Sequence, residues 1–285
     1  MRRPLFAACL ALLPFAAAAA CPDPAAVNAL ARSMLSQTPA RSYGPGMSLA
    51  DGQCAQDRLA TILGREWGGA IGWKVGLTNA AAQAQFGVPH PLAGPIYAAT
   101  LDLRSGATLP ARFASVPVVE SDLLVRIRDA GIATAGRDPV AILAHLDQVI
   151  PFIELPDLVL APGETMDAAN LLAIGVGARR GVVGEAIVPE ATESFAARLG
   201  TMRVRLATDD KILAEAPGSA LLGHPLNVIP WLVEDLARRG LSLRAGDFVS
   251  LGGFSPAVRA EAGQRYTATY TGLLATPVTV AVTLR

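Results

Sequence analysis

Lysine is almost missing from this chain. Of 24 basic residues only Lys74 and Lys211 are lysines, and the rest are arginines. The 24 acidic residues balance the bases, so the sequence has no basic footprint for nucleic acid and no polybasic membrane patch. Charged residues are 17% of the chain, without long runs, against 52% apolar residues. That excludes extended disorder and allows a large core. The three histidines, His90, His145 and His224, are scattered without ligand spacing, which argues against zinc. No Gly-x-Ser-x-Gly elbow and no Walker loop occur. The segment Gly175 to Gly181 has the wrong final spacing for a dinucleotide loop and reads as a glycine-rich strand end.

The N-terminus reads as an address. Arg2 and Arg3 precede an apolar stretch from Leu5 to Ala16, followed by four alanines to Ala20. The expectation is a signal peptide at 1–20, an exported (periplasmic or secreted) mature chain and no stable membrane span. Loss of Arg2 and Arg3 leaves 22 bases against 24 acids, a net charge of −2. Cys9 would leave with the leader, and Cys21 and Cys54 would remain. In an oxidising compartment these two form a candidate disulfide. A lipid anchor at Cys21 and a pair of free thiols are the alternatives.

Residues 21–68 read as helical. Asp23-Pro24 is a cap and first-turn pair, and Val27, Leu30, Met34 and Leu35 follow at helical spacing. Ser48 with Asp51 starts a second helix, bearing Leu59, Ile62 and Leu63 and ending near Gly68. From Ile71 onward short apolar runs are broken by Gly and Pro. Strands are expected at 71–77, 116–127, 152–155, 172–176, 202–207, 248–251 and within 266–284. Two helices interrupt them, one capped by Asp138 with Ile142, Leu146 and Val149 inward, the other from Leu226 to Arg239 with Gly240 as its stop. Few βαβ alternations occur. The pattern predicts one α+β domain over 21–285, with a helical N-terminal part leaning on a β-rich body at 69–285.

Chemistry concentrates in two places. Glu120 and Asp122 stand two apart in Val118-Val119-Glu120-Ser121-Asp122-Leu123, so a strand points both carboxylates to one face. Side by side they repel unless a cation neutralises them. Glu154 interrupts the apolar run Phe152-Ile153-Glu154-Leu155 and needs a partner if buried. Three carboxylates suit a hard cation, Mg²⁺ or Mn²⁺. The alternative is a solvent-facing edge strand, with Glu154 paired to an arginine. Lys74 lies in the glycine-flanked strand Gly72-Trp73-Lys74-Val75-Gly76. A lysine retained in an arginine-preferring chain is a candidate for catalysis, although a snorkelling strand-end lysine fits the same pattern.

These residues resemble a known family. The run from Ile71 to Thr78, with Gln83 and Phe86-Gly87-Val88, is similar to the lysine-bearing segment of 2-keto-4-pentenoate hydratases and 4-oxalocrotonate decarboxylases, in the fumarylacetoacetate-hydrolase superfamily. Glu120-x-Asp122 resembles their paired acids, Phe152 to Asp157 their third acidic segment, and Leu251 to Pro256 a loop near the C-terminus. The resemblance implies a mixed β-roll or sandwich that is usually a homo-oligomer. It implies a metal held by Glu120, Asp122 and Glu154, a catalytic Lys74, and a 2-oxo acid contacted by Thr78, Asn170 and Ser255. Departures occur as well. Asp122 replaces a glutamate, Leu92 an acid, Gly253 a serine and Gln264 an aspartate. The expected function is a metal-dependent hydratase or decarboxylase. An exported relative that binds without turnover, and a C–C hydrolase like the superfamily's namesake, are the alternatives.

Overall fold

A computed structural model describes residues 21–285; the expected leader lies outside the described residues. Helix α1 (Pro24–Leu35) is capped by the Asp23 carboxylate, and α2 (Leu49–Glu66) by a reciprocal Ser48–Asp51 box. Cys21 and Cys54 form a disulfide with Cα atoms 5.4 Å apart, tying the start of the described chain to α2. Then follow β1 (Ala70–Gly76), α3 (Ala80–Phe86), β2 (Leu92–Tyr97), β3 (Leu103–Arg104), β4 (Ala107–Leu109) and β5 (Val118–Ile127). After these come α4 (Pro139–Ala144), β6 (Leu146–Leu155), α5 (Ala168–Ala173), β7 (Arg180–Val183), α6 (Glu193–Thr201), β8 (Arg203–Thr208) and β9 (Ile212–Pro217). The chain closes with α7 (Val228–Arg238), β10 (Phe248–Ser250), β11 (Val258–Arg259), β12 (Arg265–Thr271) and β13 (Val278–Leu284).

The strands make two mixed sheets. The larger runs β2-β1-β10-β5-β6-β7-β3, with β11 added to β5, and the smaller runs β4-β13-β12-β8-β9. Between them lies the main core, where Leu123, Val125, Val149 and Ile153 from the larger sheet meet Ala268, Val280 and Val282 from the smaller. A second core joins α1 and α2 to α5 through Met34, Leu59, Leu63 and Leu172. The expected α+β body with a helical N-terminal layer is what forms. Among the described residues no helix is long and apolar enough to cross a membrane.

Two expectations fail locally. The helix capped by Asp138 ends at Ala144, and Leu146 and Val149 belong to β6 instead. Their spacing suits one helix face, but pairing Val149 with Val125 in mid-sheet buries them more completely. The stretch 172–176 is not a strand. It is the end of α5, closed by a Schellman cap in which Val176 N–H reaches the Leu171 carbonyl and Gly175 N–H the Leu172 carbonyl. Gly175, Val176 and Gly177 all have positive φ, which a strand does not allow. The Gly-Val-Gly signal therefore marks a helix stop preceding β7.

Candidate active site

The larger sheet's second face carries the site. β5 pairs antiparallel with β6, with Glu120 opposite Glu154 and Asp122 opposite Phe152. On the other side β10 joins β5 to β1, aligning Leu124 with Ser250 and Ser250 with Lys74. Directly paired residues share a face, and so do residues two apart on one strand. Glu120, Asp122, Glu154, Ser250 and Lys74 are therefore neighbours on one surface. β5 is a central strand, which removes the solvent-facing edge reading. The partner of Glu154 is Lys74 rather than an arginine, with Nζ 2.9 Å from Oε2.

Burial sets the electrostatics. Asp122 is fully buried, and Glu154 and Lys74 nearly so. Loss of water pushes the Glu154 carboxyl well above its ordinary range. Lys74 opposes that shift, while the charges of Asp122 and Glu120 add to it. Burial pushes Asp122 up to about 6, against the hydrogen bond from Ser250 and the charge of Lys74. For Lys74 burial works to lower the pKa. The charges of Glu154, Glu120 and Asp122 outweigh it, and the net shift is upward. Lys74 is thus a fixed ammonium, and three acids face one cation.

Neighbouring elements hold these groups still. The Ser250 hydroxyl donates to Asp122 Oδ2 at 2.7 Å, and the Gly252 N–H donates to Oδ1 at 3.2 Å. From beneath, Tyr270 on β12 donates to the Asp122 and Phe152 carbonyls and accepts from the Phe152 N–H, pinning β5 to β6. The loop after β10 follows β5, with Phe254 N–H on the Ser121 carbonyl and Ser121 N–H on Ser255 Oγ. A Cβ at Gly253 would sit 2.9 Å from Glu120 Oε2, so the missing side chain there gives that carboxylate room.

Above this surface opens a cavity of about 610 Å³. Lys74, Thr78, Glu120 and Ser255 line it, whereas Asp122 and Glu154 lie behind Glu120 and Lys74. Asn170, expected to contact substrate, is not in the wall. Its Oδ1 accepts from Tyr43 N–H, and its Nδ2 donates to the Gly44 carbonyl and Asp167 Oδ1. It fastens the loop between α1 and α2 to α5. Leu92 is buried in the helical core.

The donors fit a divalent cation in type and charge. All are carboxylate oxygens, and loss of water raises two of these carboxyls even though Lys74 acts to lower them. Among the described residues no three acid, histidine or cysteine side chains are already gathered around one ion-sized point. Lys74 meets Glu154 directly, and Asp122 is engaged by Ser250 and Gly252. Ser250 and Tyr270 escaped the sequence reading. A lone serine in Phe248-Val249-Ser250-Leu251 was the available signal for the first, and nothing local marked the second.

A buried lysine and three acids on one face of a mixed sheet, beside a cavity, define an enzyme-type pocket. Three similar proteins narrow the class. A 2-keto-4-pentenoate hydratase from Paraburkholderia phymatum is 30% identical over 213 residues, covering 71% of this chain and 75% of the relative. A 4-oxalocrotonate decarboxylase from Pseudomonas putida is 27% identical over 229 residues, covering 80% of this chain and 84% of the relative. The solved 4-oxalocrotonate decarboxylase from Pseudomonas putida G7, complexed with magnesium and adipate, has the same fold. It superposes with a TM-score of 0.80 at 24% identity, over 92% of this chain and 96% of that one. No protein-family model matches the sequence. The chain belongs to the 2-keto-4-pentenoate hydratase family and is similar to 4-oxalocrotonate decarboxylases.

Proposed function

We propose that this protein is a divalent-metal-dependent lyase that hydrates or decarboxylates a 2-oxo acid or its 2-hydroxydienoic form. The observation that carries this reading is the buried Lys74–Glu154 pair with Glu120 and Asp122 beside it on one sheet face, from which Lys74 and Glu120 reach the cavity. Glu120, Asp122 and Glu154 would hold Mg²⁺ or Mn²⁺. When bound, the cation supplies positive charge that lowers the cost of negative charge developing on the substrate. Lys74 presents a desolvated ammonium beside that charge and holds a proton at Nζ. Glu154 Oε2 fixes the ammonium's position. Thr78 and Ser255 place hydroxyls on the wall, most of whose remainder is apolar.

The test is turnover of 2-hydroxypenta-2,4-dienoate by the purified mature protein with Mg²⁺ or Mn²⁺, followed as ultraviolet loss of the dienol. The expected result is turnover that chelation stops and that Glu154→Ala lacks. Saturable binding of 2-oxo acids without any turnover supports a non-catalytic binding protein instead.

We also propose that the mature chain is exported. The leader-like residues before Cys21 and the Cys21–Cys54 disulfide support this, because such bonds persist in oxidising compartments. Intact mass of the periplasmic form should correspond to a chain starting at Cys21; a chain that keeps residues 1–20 and stays in the cytoplasm contradicts export, and a diacylated Cys21 contradicts the disulfide. A homo-oligomer is proposed as well, on the family resemblance, and sedimentation checks it.

A further inference from the structure

The cavity wall is lopsided in charge. Among the described residues lining it, Lys74 is the one cation and Glu120 the one anion, and both lie at the floor on the sheet. The rest of the wall is built by α3, the segment after β6, α5 with its cap, and the loop after β10. There Phe86, Leu158, Met166, Leu171, Val176 and Phe254 present apolar surface. The neutral polar side chains on the wall are Thr78, Asn79, Gln85 and Ser255, none of which carries a charge to pair with a second carboxylate. Asn79 Oδ1 accepts from Ala82 N–H as the α3 cap, and Ser255 Oγ accepts from Ser121 N–H.

We propose that the substrate bears charge at one end only: a 2-oxo acid, or its dienol, with an extended uncharged alkyl or aryl tail rather than a second carboxylate. This rests on the 2-oxo-acid reading of the site. The acid head belongs at the floor, where Lys74 is. A second carboxylate would leave water for a wall without a cation, and an unpaired buried charge is strongly disfavoured. Volume points the same way. At about 610 Å³ the cavity falls in the range that encloses ligands much larger than a five-carbon acid. An apolar tail fills that space and displaces water from Phe86, Met166 and Phe254. The preference separates this chain from a diacid enzyme without any change at Lys74 or the three acids.

The experiment is calorimetric titration of the Mg²⁺-loaded mature protein with 2-oxohexanoate, 2-oxooctanoate and 2-oxoadipate. None of these saturated acids requires turnover to be read. Affinity should rise from 2-oxohexanoate to 2-oxooctanoate by roughly fourfold for each buried methylene. 2-Oxoadipate should bind about tenfold or more weakly than 2-oxohexanoate. A folded Met166→Arg or Leu158→Arg variant should shift the ratio toward 2-oxoadipate. Equal or tighter binding of 2-oxoadipate by the wild-type protein, or no gain from the longer tail, overturns the proposal. If all three acids fail to bind, the 2-oxo-acid reading of the site falls, and the tail preference falls with it.

Discussion

One strand, β5, shows two kinds of chemistry on its two faces. Val119, Leu123 and Val125 point into the main core against the smaller sheet, fully dry. Glu120 and Asp122 point the other way, beside Lys74 and Glu154, while Leu124 continues that face into an apolar cluster with Ile150 and Phe152. The two faces share a backbone and a register, so the sheet itself explains neither. The difference lies in what covers them. Apolar strands close over one face, whereas the other faces charges from three strands and a cavity. Burial on the first face stabilises the fold. On the second it raises carboxyl pKa values and leaves a deficit of positive charge, which is a poor device for stability and a good one for binding a cation.

Substitutions on the two faces should therefore separate stability from metal response. The largest loss is expected for Lys74→Met. Removing one partner of a buried ion pair costs about 3–5 kcal/mol, read by urea unfolding of metal-free protein. Adding Glu154→Gln to Lys74→Met should recover most of that loss, because no unpaired carboxylate remains; failure to recover would mean that Lys74 acts through packing. Leu123→Ala comes next, at about 3 kcal/mol from the cavity it leaves, with Mn²⁺ affinity unchanged. Ile150→Val, in the apolar half of the site face, should cost about 1 kcal/mol and also leave the metal response intact. Glu120→Gln is smallest in stability, within about 0.5 kcal/mol, because this side chain is only half-buried. Yet it should abolish metal-dependent turnover. If Leu123→Ala removed metal binding and Glu120→Gln did not, the contrast between the faces would be wrong.

The sequence disclosed this contrast unevenly. The apolar run around 116–127 and the two-residue spacing of Glu120 and Asp122 are local signals, so the strand and the shared face of the two acids were legible. The rarity of lysine drew attention to Lys74. Caps made of adjacent residues, such as Ser48 with Asp51, were legible for the same local reason. What escaped depends on distant contacts. Nothing near Tyr270 shows that its hydroxyl pins two strands of the opposite sheet. Nothing near Asn170 shows that Tyr43 and Gly44 occupy its amide. Leu146 and Val149, three apart, suit one helix face by spacing, and only their distant pairing with Ile127 and Val125 places them in a strand.

The most direct test is metal binding by the mature, chelator-stripped protein, with Mn²⁺ as the probe and electron paramagnetic resonance counting the bound ion. The account predicts saturation at about one ion per chain, lost in Glu120→Gln and preserved in Leu123→Ala. Absence of saturable Mn²⁺ binding in the wild-type protein, or undiminished binding in Glu120→Gln, would contradict it.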